Sequence, residues 1–135
     1  MKFTNGYWLM REGLDAYFPA EVHDLEIDDN SVIAFAPTRP IEHRGATLNC
    51  KLLTVKFSSP MEDVIKVRLY NFKGGVPKSP EFEIYEKEDT KVQIQNGEDY
   101  ASLTSGKLSV KIKKKDSWGI DFVADDKIIT RSEWR

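Results

Sequence analysis

The stretch Phe57–Gly75, FSSPMEDVIKVRLYNFKGG, constrains this chain more than any other part of it. Within Val64–Phe72, the apolar Ile65, Val67 and Leu69 alternate with Lys66, Arg68 and Tyr70. An apolar residue at every second position suits a strand, whose side chains point to two faces in turn. Ser58, Ser59 and Pro60 break the chain before this segment, and Gly74-Gly75 break it afterwards. The expectation is a short strand with one dry face and one wet face.

The same period returns along the chain. Leu25 and Ile27 alternate with Asp24 and Glu26 in Val22–Ile27. Asp28-Asp29-Asn30 then turn the chain into Val32–Phe35, which predicts a hairpin. Leu53, Val55 and Phe57 alternate with Thr54 and Lys56, and Phe82 and Ile84 flank Glu83. Val92 and Ile94 precede the stop Asn96-Gly97, and a short strand around Leu103 ends at Ser105-Gly106. Leu108, Val110 and Ile112 follow, then Trp118, Ile120 and Phe122. Asp125-Asp126 make a tight turn before Ile128-Ile129. Eight or nine short strands between turn signals predict an all-β, antiparallel two-sheet β-sandwich. No window carries a capped helical stripe, although Arg11–Phe18 has room for one helical turn. Lys73–Glu81 and Ala36–Ala46, marked by prolines and glycines, are expected to be the long loops, the first of them the mobile one.

Composition agrees with one soluble domain spanning residues 1–135. The chain is 40% hydrophobic and 31% charged with a net charge of −2, which argues against disorder, a nucleic-acid partner or an acidic tail. A domain of this size buries roughly two thirds of its unfolded surface. No apolar run reaches the length of a signal peptide or a membrane span. The single cysteine, Cys50, excludes an internal disulfide and fits a reducing, cytoplasmic setting. Trp134 sets a large apolar side chain at the end of the sequence. That ending reads as a sandwich truncated at its C-terminal end, inside a longer protein, and predicts self-association of the fragment.

Several segments resemble one enzyme family. Phe57-Ser58-Ser59-Pro60, the strand Val64–Arg68, and Asn71-Phe72-Lys73-Gly74-Gly75-Val76 are similar to words near the start of bacterial α-xylosidases of glycoside hydrolase family 31. Gly6-Tyr7-Trp8-Leu9, Arg11-Glu12-Gly13, Glu21–Asp24 and Ala36–Arg39 resemble the opening of the same proteins. Leu103–Val110 and Trp118–Phe122 resemble strands of the wider family, α-glucosidases included. At Asp126 this chain departs from the family's usual turn glycine. The resemblance implies a galactose-mutarotase-like N-terminal β-sandwich, packed in the parent on a catalytic (β/α)8 barrel that this chain lacks. It implies a parent that hydrolyses terminal non-reducing α-D-xylosyl linkages with retention, on an α-xyloside or a xyloglucan-derived oligosaccharide. Retention needs two carboxyl groups about 5–5.5 Å apart; in the family both lie in the barrel. No catalytic, metal or cofactor-binding residue carries over, no cofactor is implied, and the fragment alone is predicted inactive. Its partners would be its own barrel domain and, in a homo-oligomer, sister subunits, with neither nucleic acid nor membrane. An α-glucosidase parent and a free-standing carbohydrate-binding module remain the alternatives. A mutarotase-like epimerase is disfavoured by the two histidines, His23 and His43.

The residues themselves offer one candidate surface. Tyr70 and Phe72 share the face of Lys66 and Arg68, where water is expected, with Tyr7 and Trp8 as further exposed aromatics. Arg68, Tyr70, Phe72 and Trp134 are therefore candidate interface or sugar-stacking residues. Coverage by another strand of the sandwich is the competing reading. Asp28-Asp29-Asn30 and Glu62-Asp63 read as solvated turns before they read as cation or acid–base sites. Cys50 reads as a packed or surface thiol. Lys111, Lys113, Lys114 and Lys115 read as edge-strand lysines that discourage sheet-to-sheet association.

Overall fold

A computed structural model describes residues 12–70 and 90–134. Nine strands lie among them: β1 (Asp24–Asp28), β2 (Ser31–Pro37), β3 (Leu52–Ser58), β4 (Lys66–Tyr70), β5 (Gln93–Asn96), β6 (Tyr100–Ser105), β7 (Leu108–Lys113), β8 (Gly119–Ala124) and β9 (Lys127–Glu133). They form two antiparallel meanders, one of four strands in the order β1-β2-β3-β4 and one of five in the order β5-β6-β7-β8-β9. Within each sheet every strand pairs antiparallel with its neighbour in sequence. Asp28 pairs with Ser31 across the expected hairpin turn. Asp125 and Asp126 take φ of 49° and 60°, the two left-handed residues of a type I′ hairpin turn. Asp126 adopts there the conformation that glycine favours, so the missing glycine is tolerated.

The sheets pack face to face. Val32, Ala34 and Ala36 of β2 and Leu53, Val55 and Phe57 of β3 form one core with Leu103, Val110, Ile112, Trp118 and Ile120. Alternation puts these side chains on one face of each sheet and leaves the outer faces polar. Ala20 stitches the layers together: its N–H donates to Pro37 O at 2.8 Å, and its carbonyl accepts from Trp118 N at 2.7 Å.

A second connection joins two turns. The β3–β4 turn carries Ser59, Met61 and Asp63; the β6–β7 turn carries Ser105, Gly106 and Lys107. The Ser59 and Ser105 hydroxyls share a 2.7 Å hydrogen bond. The Lys107 N–H donates to Asp63 Oδ1 at 2.6 Å. Gly106 has φ of +57°, and a Cβ there would collide with Asp63 Oδ1 and Glu62 Cγ. The Ser-Ser-Pro turn and the Ser-Gly turn, distant in sequence, therefore form one clasp between the sheets.

Three expectations are corrected. Val67 and Leu69, assigned to the dry face of β4, are 47% and 54% exposed. Their register with Phe57 and Val55 puts them on the inner face, but among the described strands β4 is an edge, beyond the buried cluster on β2 and β3. Arg11–Phe18 yields no helix over residues 12–18; a 3-10 turn forms instead at Arg44–Thr47, inside the stretch read as a loop. Lys111 and Lys113 do not lie on an edge, because β7 is the central strand of its sheet. The strand expected at Phe82–Ile84 and the loop Lys73–Glu81 lie outside the described residues.

Candidate functional site

Arg68 and Tyr70 stand two positions apart on β4 and share its outer face. Register sets Arg68 beside Lys56 and Tyr70 beside Thr54 on β3. Arg68 Nη1 donates to Tyr70 Oη at 3.2 Å, and its guanidinium lies 6.0 Å from the ring centroid, the outer limit of a cation–π contact. The two residues border a groove of about 330 Å³ together with Lys56, Lys66, Ser58 and Thr90. Lys56, Lys66 and Arg68 stand on neighbouring positions along it.

Trp134 belongs to the other layer. It follows β9, its N–H donates to Trp118 O at 3.1 Å, and its side chain is half exposed. Arg68 and Tyr70 thus lie on the outer face of one sheet, while Trp134 lies at the end of the other. The structure brings the first two together and keeps the third apart. Phe72, Tyr7 and Trp8 lie outside the described residues.

Around Trp134 a groove of about 320 Å³ is lined by Tyr100, Lys113, Gly119, Asp121, Arg131 and Glu133. A second groove of about 640 Å³ adjoins it, sharing Tyr100 and Asp121 and adding Gln95, Ser102 and Lys111. Both lie on the outer face of the five-stranded sheet. Register strings Gln95, Ser102, Lys111, Asp121 and Arg131 into one polar row across all five strands. Arg131 Nε meets Asp121 Oδ1 at 3.2 Å, and its Nη1 meets Glu133 Oε1 at 2.9 Å. Tyr100 was not visible as a site residue in the sequence. Its place directly after the turn Gly97-Glu98-Asp99, on the lysine face of the next strand, was the available signal.

The remaining candidates resolve into structural roles. Lys114 Nζ donates to Asn96 Oδ1 at 2.9 Å and Gly97 O at 2.8 Å. Lys115 Nζ lies 2.8 Å from both Glu98 Oε1 and Asp99 Oδ1. The Asp99 and then the Glu98 carboxylate hold this ammonium above its usual range. The basic run therefore ties down the β5–β6 turn. Asp63 takes φ of 63° in its turn and serves the clasp. His23 Nδ1 lies 3.7 Å from Glu21 Oε1, an exposed contact. Burial pushes the Cys50 thiol up, but hydrogen bonding to the Thr38 main chain and hydroxyl, helped by Arg39, outweighs it and leaves the thiol below its ordinary value. Among the described residues no group of three His, Cys, Asp or Glu side chains stands close enough to hold a metal ion. No helix among them is long and apolar enough to cross a membrane.

The architecture defines a β-sandwich domain whose two sheets are clasped through their turns. Its sequence places it more narrowly: the chain is a homologue of part of the α-xylosidases. It is 39% identical over 133 residues to the α-xylosidase XylQ of Lactiplantibacillus pentosus, covering 98% of this chain and 17% of that protein. It is 33% identical over 113 residues to an α-xylosidase of Emericella nidulans, covering 83% of this chain and 14% of that protein. The chain thus spans about a sixth of the length of these curated relatives. No protein-family model matches it.

Proposed function

We propose that this chain is the non-catalytic N-terminal β-sandwich domain of a family 31 α-xylosidase, which hydrolyses terminal non-reducing α-D-xylosyl linkages with retention. The observation that carries the reading is the 39% identity along 98% of the chain to an α-xylosidase of which it makes up only 17%. Retaining hydrolysis requires a nucleophilic carboxylate and an acid/base carboxyl about 5–5.5 Å apart. The proposal assigns both to the portion of the parent that this chain does not span. The sandwich then acts as scaffold. Its clasped turns hold the two layers as one unit against a catalytic barrel, and its polar outer faces are available to frame the entrance to the active site.

The test is an assay on an aryl α-xyloside. The full-length parent is expected to release xylose and the purified 135-residue chain none. Release of xylose by the chain alone would overturn the non-catalytic reading. A parent that prefers α-glucosides would overturn the substrate class and leave the scaffold role standing.

A further inference from the structure

We propose that Asn96-Gly97, at the β5–β6 turn, is a latent deamidation site, and that the Lys114 ammonium keeps it from reacting.

The chemistry needs no partner beyond water. The main-chain nitrogen of Gly97 gives up its proton to solvent and bonds to Cγ of Asn96. The Cγ–Nδ2 bond breaks, and Nδ2 leaves as ammonia, which closes a five-membered succinimide. Water then opens the ring at either carbonyl and leaves aspartate or isoaspartate at position 96. Asparagine is among the thermolabile residues, and a following glycine, having no Cβ, leaves the attacking nitrogen unshielded. Both residues are exposed to the water that the second step consumes.

The turn itself calls for this reactive pair. Gly97 N–H donates to Tyr100 O at 2.9 Å and closes the turn. A Cβ at position 97 would stand 3.2 Å from that same oxygen, so the close approach favours glycine. Asn96 Oδ1 accepts from Lys114 Nζ at 2.9 Å, just past the end of β7. Each member of the pair thus has a structural task of its own.

The backbone holds the reacting atoms apart. Asn96 is the last residue of β5 and pairs with Ala101. Ring closure requires the Gly97 nitrogen to swing about the Asn96 Cα–C bond until it eclipses Cβ. The extended ψ of a strand keeps it well away from that position. The swing also breaks the Gly97–Tyr100 hydrogen bond, which otherwise occupies the proton that must be lost.

Lys114 restrains the same rotation from outside. Its Nζ donates to Asn96 Oδ1 at 2.9 Å and to Gly97 O at 2.8 Å. The first acceptor lies on one side of the bond that must rotate, and the second on the other. One ammonium therefore tethers both ends, and the rotation costs a charge-assisted hydrogen bond. Lys114 is itself well placed: it is half-buried, and its main-chain N–H donates to Asp99 O at 2.9 Å. Lys115 adds a weaker restraint, since it binds the Glu98 and Asp99 carboxylates and neither reacting residue. The two products differ in consequence. Aspartate at 96 sets a carboxylate against the same ammonium and keeps the anchor. Isoaspartate adds a methylene to the main chain and breaks the register with Ala101.

The experiment incubates the 135-residue chain at mildly alkaline pH, folded and in guanidinium chloride. Mass spectrometry follows the tryptic fragment Val92–Lys107, in which Asn96 is the only asparagine. Conversion is expected to be about ten-fold or more slower in the folded chain, the worth of a charge-assisted hydrogen bond. Lys114→Met should raise the folded rate about three-fold or more, with unchanged far-ultraviolet circular dichroism, and Lys115→Met should change it less. Equal rates in the folded and denatured chain would overturn the proposal, as would no conversion in denaturant. A rate that stays the same or falls in Lys114→Met would overturn the guarding role of the ammonium. If that variant does not fold, hydrogen exchange of the native chain decides. Slow exchange of the Gly97 amide supports the restraint, and exchange at the rate of a free peptide refutes it.

Discussion

At the scale of single residues, Gly106 has little room for change. Its backbone is left-handed, and the space beside it is filled by the Asp63 carboxylate that accepts the Lys107 N–H. A side chain there would meet strain and displace the acceptor. Gly106→Ala is expected to destabilise the chain by about 2–3 kcal/mol, read from urea denaturation. A loss below about 0.5 kcal/mol would show that the clasp is not tight. Cys50 makes a prediction of a different kind. With its thiol held below the ordinary value of 9.0, its alkylation rate should reach half-maximum at a lower pH than in a free cysteine peptide. Thr38→Ala removes one of the groups responsible and should move the midpoint up. The same thiol read from sequence alone was only a packed or surface cysteine, because nothing near it in the chain announces Thr38, 12 positions away, as a partner.

At the scale of strands, period-two alternation made most elements legible. The strands around Leu25, Val55, Ile94, Val110 and Ile120 all appear where apolar residues alternate between turn signals. What alternation leaves unsaid is a strand's neighbours, because every strand of a sandwich carries the same signature. Lys111 and Lys113 illustrate this. A lysine face is equally natural on an edge strand and on the water side of a central one, and only the sheet order makes β7 central. Val67 and Leu69 are the converse. They sit on the inner face, yet stand at the margin of the opposite layer. The candidate site suffered for the same reason: Tyr70 could be placed on an outer face by counting, whereas the company of Tyr100 and Trp134 depends on register across four strands. Packing makes its own prediction at this scale. Leu103 is fully buried in the cluster contributed by both sheets. Leu103→Ala should cost about 2–5 kcal/mol in chemical denaturation, through lost transfer energy and the cavity left behind. Ile128→Ala, on the exposed β9, should cost less than about 1 kcal/mol.

At the scale of the whole molecule, β4 and β9 are edges among the described strands, with Val67, Leu69, Ile128 and Ile129 half exposed on them. Open edges that carry apolar side chains invite pairing with another chain. The isolated chain is expected to self-associate as its concentration rises, measured by sedimentation velocity. Leu69→Lys should reduce that association, and a profile that stays monomeric across the range would refute it. A related consequence comes from the clasp. Asp63 and Lys107 are 44 positions apart in the chain, yet their turns are bonded to each other. The bond forms only when both turns are in place, one from each sheet. The clasp is in this sense a latch that reads both layers at once, and melting either sheet releases both turns.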